Sequence, residues 1–293
     1  MPSFLYRKTE NRRHRRPRRQ VPRKIRYQEL SDSPLSHHPI LYHPGAVTVF
    51  FVAALVSYSA AGEITSQRSA VVTYVIDGDT IEVDDDTRVR LLGVNSPEIG
   101  YNGATDEPMA RRARKFVADR VVGKTVTLKL EPEKRDPYGR LLAHVFLKDG
   151  TNLQEQILAQ GLGSVVAIPP NIGLVDIYQI AERAARRDKL GIWNHRYYRP
   201  VTPQQLGADA RRHRFVTGTV NRIGRSHQNF YLDLGPRFSV VIPHEDWRQY
   251  WGGDINRVLG AKVEVRGWVF TQRTGKRVRV RHPAMLELSA LTE

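Results

Sequence analysis

Not one cysteine occurs in the 293 residues. This absence removes disulfides, thiolate zinc sites and cysteine nucleophiles together, so a metal here would be held by oxygen or imidazole. The ten histidines show no paired spacing suited to a metal, and His144 and the others read as ordinary polar residues. Long apolar runs are scarce as well. The uncharged run Ala46 to Ala61, "AVTVFFVAALVSYSAA", falls short of the roughly 20 residues that a spanning helix needs. What remains is ordinary for a globular protein: 40% apolar residues in 33.5 kDa suffice for about two domains with tails and exclude disorder for the bulk of the chain.

Positive charge is abundant and unevenly placed. Of the net +16, residues 1–61 carry eleven basic against three acidic side chains, residues 62–196 nineteen of each, and residues 197–293 sixteen against eight. The neutral middle is therefore flanked by two segments of +8, and the long-range attraction for a polyanion belongs to the C-terminal one. The opening "RKTENRRHRRPRRQVPRKIR" is basic, low in complexity and broken by prolines, so residues 1–45 are expected to be a disordered tail. With the apolar run at 46–61 it resembles an export signal, Ser59 and Ala61 serving as small residues before a cleavage point. An uncleaved inner-membrane anchor and a start site placed too far upstream are the alternatives. The expected location is thus periplasmic, extracellular or at the inner membrane.

Alternation of apolar and polar residues predicts strands at 69–76, 80–83 and 88–92, with the acidic turn "DDDT" before the third. A helix is expected after Asp106 as N-cap, burying Ala110, Ala113, Val117 and Val121. Strands at 126–130 and 141–147 complete a five-stranded set that fits a Greek-key OB barrel. Two more helices follow at 152–160 and 175–189, the second with Ile177, Ile180, Ala181, Ala184 and Ala185 on one stripe. Residues 197–214 lose periodicity and read as a linker. Beyond them, candidate strands at 215–223, 230–234, 239–242, 261–268 and 277–281, with a helix near 245–250, predict a second OB-like barrel over 215–293. The fold expected is mainly β with three helices in the first domain, 62–196, followed by that smaller barrel.

The densest chemistry lies in "VIDGDTIEVDDDTRVRLLGVNSPE", Val75 to Glu98, and in "DPYGRLLAHV", Asp136 to Val145. Carboxylates and guanidinium groups brought together from separate segments suit both hard cations and phosphates. Asp beside Gly is also common turn chemistry, and Arg90 or Glu98 taken singly would pass as surface charges. As one ordered set, these stretches resemble the staphylococcal-nuclease-like (thermonuclease) family, whose "DGDT", "RLLGVDTPE" and "DKYGR" signatures occur here in the same order. The resemblance covers Ser69 to Trp193 and includes the closing "GIW".

That resemblance implies an OB-fold nuclease that hydrolyses DNA or RNA endonucleolytically and leaves 3′-phosphate ends. It implies that Asp79 and Asn95, with the carbonyl of Ser96 and support from Asp77, hold a divalent metal, Ca²⁺ first and Mg²⁺ or Mn²⁺ as alternatives. Glu98 would activate water, Arg90 and Arg140 would clamp the phosphate, and Tyr138 would bond it. Asn95 stands where the family has Asp, so the ligand set loses one charge. "GSVVAIPP", Gly163 to Pro170, lacks the tyrosines that stack on the base in the best-known members. In the second barrel, Arg222, Arg225, Tyr231, Arg266, Trp268, Arg273 and Lys276 are candidate contacts to nucleic acid, single strands favoured, because aromatics interleave there with positive charge. No small-molecule cofactor is expected, and the sequence leaves the oligomeric state open. The competing readings are a catalytically silent nuclease fold that binds nucleic acid and a C-terminal module for protein interaction.

Overall fold

The computed structural model describes residues 63–207 and 212–288; the basic tail, the apolar run at 46–61, residues 208–211 and residues 289–293 lie outside them. Among the described residues no helix is long and apolar enough to cross a membrane. Strands β1 (Ser66–Asp77), β2 (Thr80–Val83) and β3 (Arg88–Leu91) form the expected meander, and the short β4 (Val94–Asn95) follows at once. Then come α1 (Ala110–Val121), β5 (Thr125–Leu130), β6 (Leu141–Phe146), α2 (Leu153–Ala159), β7 (Ser164–Val165) and α3 (Val175–Arg187). The strands close a barrel in the order β1, β2, β3, β6, β5, with β3 and β6 parallel. Its interior is filled by the alternate side chains of each strand, among them Val72, Ile81, Val89, Leu128 and Val145, all fully buried. This is the period-two pattern that the sequence carries.

Two helices depart in detail from expectation. Helix α1 begins at Ala110 after Met109, a non-glycine residue at φ 73°. Asp106 does not cap it; its carboxylate instead accepts the Gly100 N–H at 2.9 Å and pairs with Arg111. Helix α3 is turned about its axis, so that Val175, Tyr178, Ala181, Glu182 and Ala185 are buried while Ile177 and Ile180 face out. Polar bonding explains the turn: the Tyr178 hydroxyl lies 2.7 Å from His144 Nδ1 and 3.1 Å from Asn152, and Glu182 accepts the Val165 N–H at 2.7 Å. Buried polar groups with satisfied partners outweigh two isoleucines left at the surface.

The C-terminal part holds β8 (His213–Thr219), β9 (Arg222–Arg225), β10 (Asn229–Gly235), β11 (Phe238–Pro243), β12 (Lys262–Gln272), β13 (Gly275–Arg279) and β14 (Leu286–Leu288). These are seven strands rather than five: the first expected strand is broken at Val220 and Asn221, and β14 adds an edge. Since β8 and β9 are one bent run of chain, the pairing circuit β9, β10, β11, β13, β12, β8 returns to its own start. The order matches the first barrel, including one parallel pair, β11 with β13.

Residues 197–207 are ordered turns, and with 212–214 they tie the expected linker segment down at both ends. Tyr198 donates to the Pro108 carbonyl at 2.6 Å, Tyr197 donates to Glu107 at 3.1 Å, and Val201 bridges to Val216. The tyrosines, apolar with one polar tip, suit such a docked turn. Alternation along β8 and β12 then matters. Val216, Val263 and Val265 point into the second barrel, whereas Phe215, Glu264, Arg266 and Trp268 point the other way, towards the first. Phe215 meets Trp193 edge-on at 5.4 Å. Arg266 is sealed between the barrels, 2.6 Å from both Glu182 oxygens and paired also with Glu287, while Arg186 pairs with Glu264 and Glu287. Arg266, expected as a contact to nucleic acid, is thus a structural ion-pair residue with no free face.

Removing one partner of a buried pair strands the other charge. Arg266→Ala is therefore expected to destabilise the protein by about 3–5 kcal/mol, measured by denaturant unfolding; a loss below about 1 kcal/mol, the range of an exposed pair, would show that the interface does not depend on it.

Candidate active site

The turn between β1 and β2 is where the carboxylates gather. Asp77 Oδ1 accepts the Asp79 N–H at 3.0 Å, which closes the turn around Gly78. A Cβ on Gly78 would lie 2.5 Å from Ser96 Oγ and 2.8 Å from Ala113 Cβ, so glycine is required by the close approach of α1 and the loop after β4. Asp79 is almost wholly buried. Its Oδ2 accepts the Ser96 N–H at 2.6 Å, and its Oδ1 lies 3.1 Å from Thr80 Oγ1 and 2.8 Å from Arg90 Nη1. Arg90 also donates to the Val94 carbonyl at 2.9 Å and reaches Asn95 Oδ1 at 3.5 Å. Its guanidinium is fixed before any substrate arrives.

Arg140 comes from a second turn. Asp136 accepts the N–H groups of Tyr138 and Arg140 at 3.0 and 2.9 Å and holds the Arg140 guanidinium at 2.7 Å, with Gly139 at φ 81° allowing the reversal. Glu98 comes from the loop after β4, which is stapled to the segment before α1: Glu98 N–H donates to Glu107, and Glu107 N–H to the Glu98 carbonyl at 2.9 Å. Glu107 is held in turn by Tyr197 and by Arg212 at 3.3 Å.

Arg90, Glu98, Tyr138 and Arg140 line one cleft of about 600 Å³ together with Ile168, Asn171, Trp268 and Arg281. Asp77, Asp79, Asn95 and Ser96 are buried and not on its wall, with Asp79 and Asn95 in contact with Arg90. Arg222, Arg225, Tyr231, Arg273 and Lys276 are not on its wall. Arg222 pairs with Asp233 at 2.8 Å and Arg225 bonds Asn256, both at the surface, while the Arg277 guanidinium sits 4.9 Å over the Tyr231 ring. Lys276 directs its ammonium to the carbonyls of Leu206 and Gly207. Asp136, Glu107 and Arg281 escaped sequence reasoning. The first lay inside the "DPYGR" motif and could have been read as a turn acceptor; the other two carried no signal.

Crowding perturbs all three acids. Burial, opposed by Arg90 and reinforced by Asp77, pushes Asp79 up to about 7. Burial and then the charge of Glu98 raise Asp77. Glu98 opens to the cleft, yet the protein around it desolvates it enough, with Asp79 next in effect, to raise it too. Carboxylates that resist ionising together, backed by an amide oxygen, make an all-oxygen donor set that fits a hard divalent cation. Two of the four donors carry charge, and among the described residues no group of three or more His, Asp or Glu side chains is arranged around one metal position. The set therefore fits a metal with one ligand charge fewer than the family pattern.

Residues 88–195 match the family profile described as "Staphylococcal nuclease homologue". The thermonuclease of Staphylococcus intermedius is 34% identical over 129 residues, which cover 43% of this chain and 76% of that protein. The chain belongs to the staphylococcal nuclease family. Endonuclease YncB of Bacillus subtilis is 37% identical over 129 residues, spanning 42% of this chain and 60% of that protein, and Endonuclease YhcR of the same organism is 32% identical over 140 residues, only 12% of its length. The shared part ends near residue 195 for the family profile, so the second barrel lies outside it.

An acid raised in the folded state holds its proton to higher pH than the unfolded chain does, so its stabilising contribution is complete below its ordinary value of 3.8 and is lost as pH rises through about 7. The metal-free protein in chelator is expected to melt lower at pH 8 than at pH 5, with Asp79→Asn narrowing the gap; a gap of the same size in the variant would place its origin elsewhere.

Proposed function

We propose that the protein is a metal-dependent endonuclease that hydrolyses phosphodiester bonds of DNA or RNA, with the second barrel holding the nucleic acid. The observation that carries this reading is the convergence, in one cleft, of two preset arginines and a carboxylate with a raised pKa, above a buried pair of aspartates. The names of the thermonuclease and endonuclease relatives support it. A silent nuclease fold would have no use for an Arg140 guanidinium held by Asp136 at the mouth of such a cleft.

Each residue has a distinct task. Arg90, clamped by Asp79 and by main-chain carbonyls, and Arg140, clamped by Asp136, present N–H donors to the phosphate oxygens as negative charge grows there. Glu98, made a stronger base than an ordinary carboxylate by burial and the charge of Asp79, accepts the proton of the attacking water. The water oxygen bonds to phosphorus, the bond to O5′ breaks, and that oxygen takes up a proton from solvent, leaving a 3′-phosphate. Asp77, Asp79, Asn95 and the Ser96 carbonyl would hold the divalent cation, Ca²⁺ first, with Mg²⁺ or Mn²⁺ as alternatives. Such an ion supplies Lewis-acid polarisation and charge neutralisation at the phosphate. The apolar run at 46–61 behind its basic flank supports export or inner-membrane anchoring.

On the second barrel, Tyr231 lies on an outward strand face with Arg222, Arg277 and Arg279, a stacking surface within positive charge. Single strands, whose bases are free to stack, are the favoured substrate.

Cleavage of labelled single-stranded DNA is expected with Ca²⁺, Mg²⁺ or Mn²⁺ and not in chelator. Glu98→Gln should lower kcat by about 10²–10⁴-fold, Arg140→Ala by about 10²–10³-fold, and Arg90→Lys severely, an ammonium lacking the planar fork; three variants that cut like wild type would refute the assignment. Asn95→Asp should lower the metal concentration for half-maximal rate, and an unchanged titration would remove this residue from the ligand set. Arg277→Ala and Arg279→Ala should each reduce the slope of log affinity against log salt by about one unit; unaltered slopes would take that face out of binding.

A further inference from the structure

We propose that Trp268, delivered by the second barrel, is a base-stacking platform inside the catalytic cleft, so that the nuclease site is built from both barrels. The inference rests on the nuclease reading for its substrate and on the cleft geometry for its residue.

Trp268 is 41% exposed, although it is among the largest apolar side chains in the molecule, and what it faces is the cleft that also holds Arg90, Glu98 and Arg140. Tyr138, 85% exposed, and Ile168, 45% exposed, line the same cleft. Three large exposed apolar groups around a pair of phosphate-binding arginines match a nucleotide, whose base offers an apolar face and whose phosphate carries the charge. A volume of about 600 Å³ is that of a pocket for one ligand of small-molecule size. The segment 163–170 brings no aromatic ring to this wall, so a ring for the base comes from β12.

The indole is held in place rather than left loose. His213, its partner across the β8–β12 ladder, packs edge-on against it at 5.2 Å. Arg266, two residues before it on the same outward face, is locked to Glu182 on α3. Rigid placement lowers the ordering cost of stacking. A track of charge also leads there. Arg277 and Arg279 flank the buried Val278 on β13, so they share one face about 6.7 Å apart, and Arg281 follows just beyond the strand's end. Arg281 reaches the cleft wall, where Asp246 holds it at 2.8 Å and the Pro169 carbonyl accepts from it at 2.8 Å. A strand lying on the basic face would be led along these arginines to Trp268. Bases paired within a duplex cannot offer a face to the ring, so the platform selects single strands or frayed ends.

The test compares the full chain with Trp268→Ala and Trp268→Phe. Binding of two probes is measured in chelator: a thymidine trinucleotide, short enough to occupy the cleft alone, and the same trinucleotide without bases. Wild type and Trp268→Phe are expected to bind the base-bearing probe about ten-fold or more tighter than the base-free one. Trp268→Ala is expected to lose that preference while its affinity for the base-free probe stays unchanged. Equal weakening for both probes would assign Trp268 a merely structural role and overturn the proposal, as would a preserved preference in Trp268→Ala. In parallel, kcat/KM on single-stranded DNA with divalent cation should fall about ten-fold in Trp268→Ala. A wild type that shows the base preference and never cuts would refute the nuclease reading and uphold the platform; a wild type that cuts with no base preference would do the reverse.

Discussion

The ion pair between Glu182 and Arg266 is the interaction on which the arrangement of the molecule turns. Each side chain is 3% exposed, and burying two charges is favourable only where geometry is close and the remaining lone pairs are used. Both conditions hold. Arg266 meets both Glu182 oxygens at 2.6 Å and reaches Glu287, and Glu182 accepts the Val165 N–H as well. Since β7 pairs with β4, which carries Asn95, one ion pair connects the second barrel to the floor of the cleft. The same contact fixes the outward face of β12, and with it the position of Trp268.

The cleft itself is stored electrostatic tension. Asp77, Asp79 and Glu98 are placed where burial and mutual repulsion raise all three, a cost that a fold can bear only if the backbone around them is over-determined. Here the closed barrel provides that support, with the Gly78 turn pressed against Ser96 and Ala113 and Arg90 bonded to three main-chain carbonyls. The loop bearing Glu98 is held from the other side, through Glu107, by residues that follow the nuclease-family segment. With Trp268 and Arg281 on its wall, the cleft is lined by the second barrel as well.

Electrostatics and architecture agree in their division of labour. In the proposed function the neutral segment 62–196 would carry the chemistry, and the net +8 of residues 197–293 would supply attraction that acts over a Debye length. Because the barrels are bonded to one another rather than strung on a free linker, that attraction is exerted at a fixed distance and orientation from the cleft. A polyanion captured on the basic face is thereby brought close to the arginines that would orient it.

How much of this was legible in the chain depends on the range of the interactions involved. Most strand positions, helix α2 and the first barrel follow from local periodicity and turn residues, while the role of Asn152 as the N-cap of α2 was seen only in the structure. Asp77, Asp79, Arg90, Glu98 and Arg140 could be singled out as candidates because their motifs are short and contiguous, and the structure brings Arg90, Glu98 and Arg140 to one cleft. Where long-range bonding competes with local pattern, the local reading failed: α3 turned its isoleucines outward so that Tyr178 and Glu182 could find partners, and Asp106 bonded Gly100 instead of capping α1. Arg266 and Trp268 are two residues apart on one strand, each a plausible contact to nucleic acid by composition alone. Only the docking of β12 on α3 separated them, one sealed against Glu182 and the other left open on the cleft. The sequence by itself determined which residues are candidates for the chemistry and where the charge lies; the tertiary structure decided which of them share a cleft, because pairing between segments over eighty residues apart leaves no trace in local pattern.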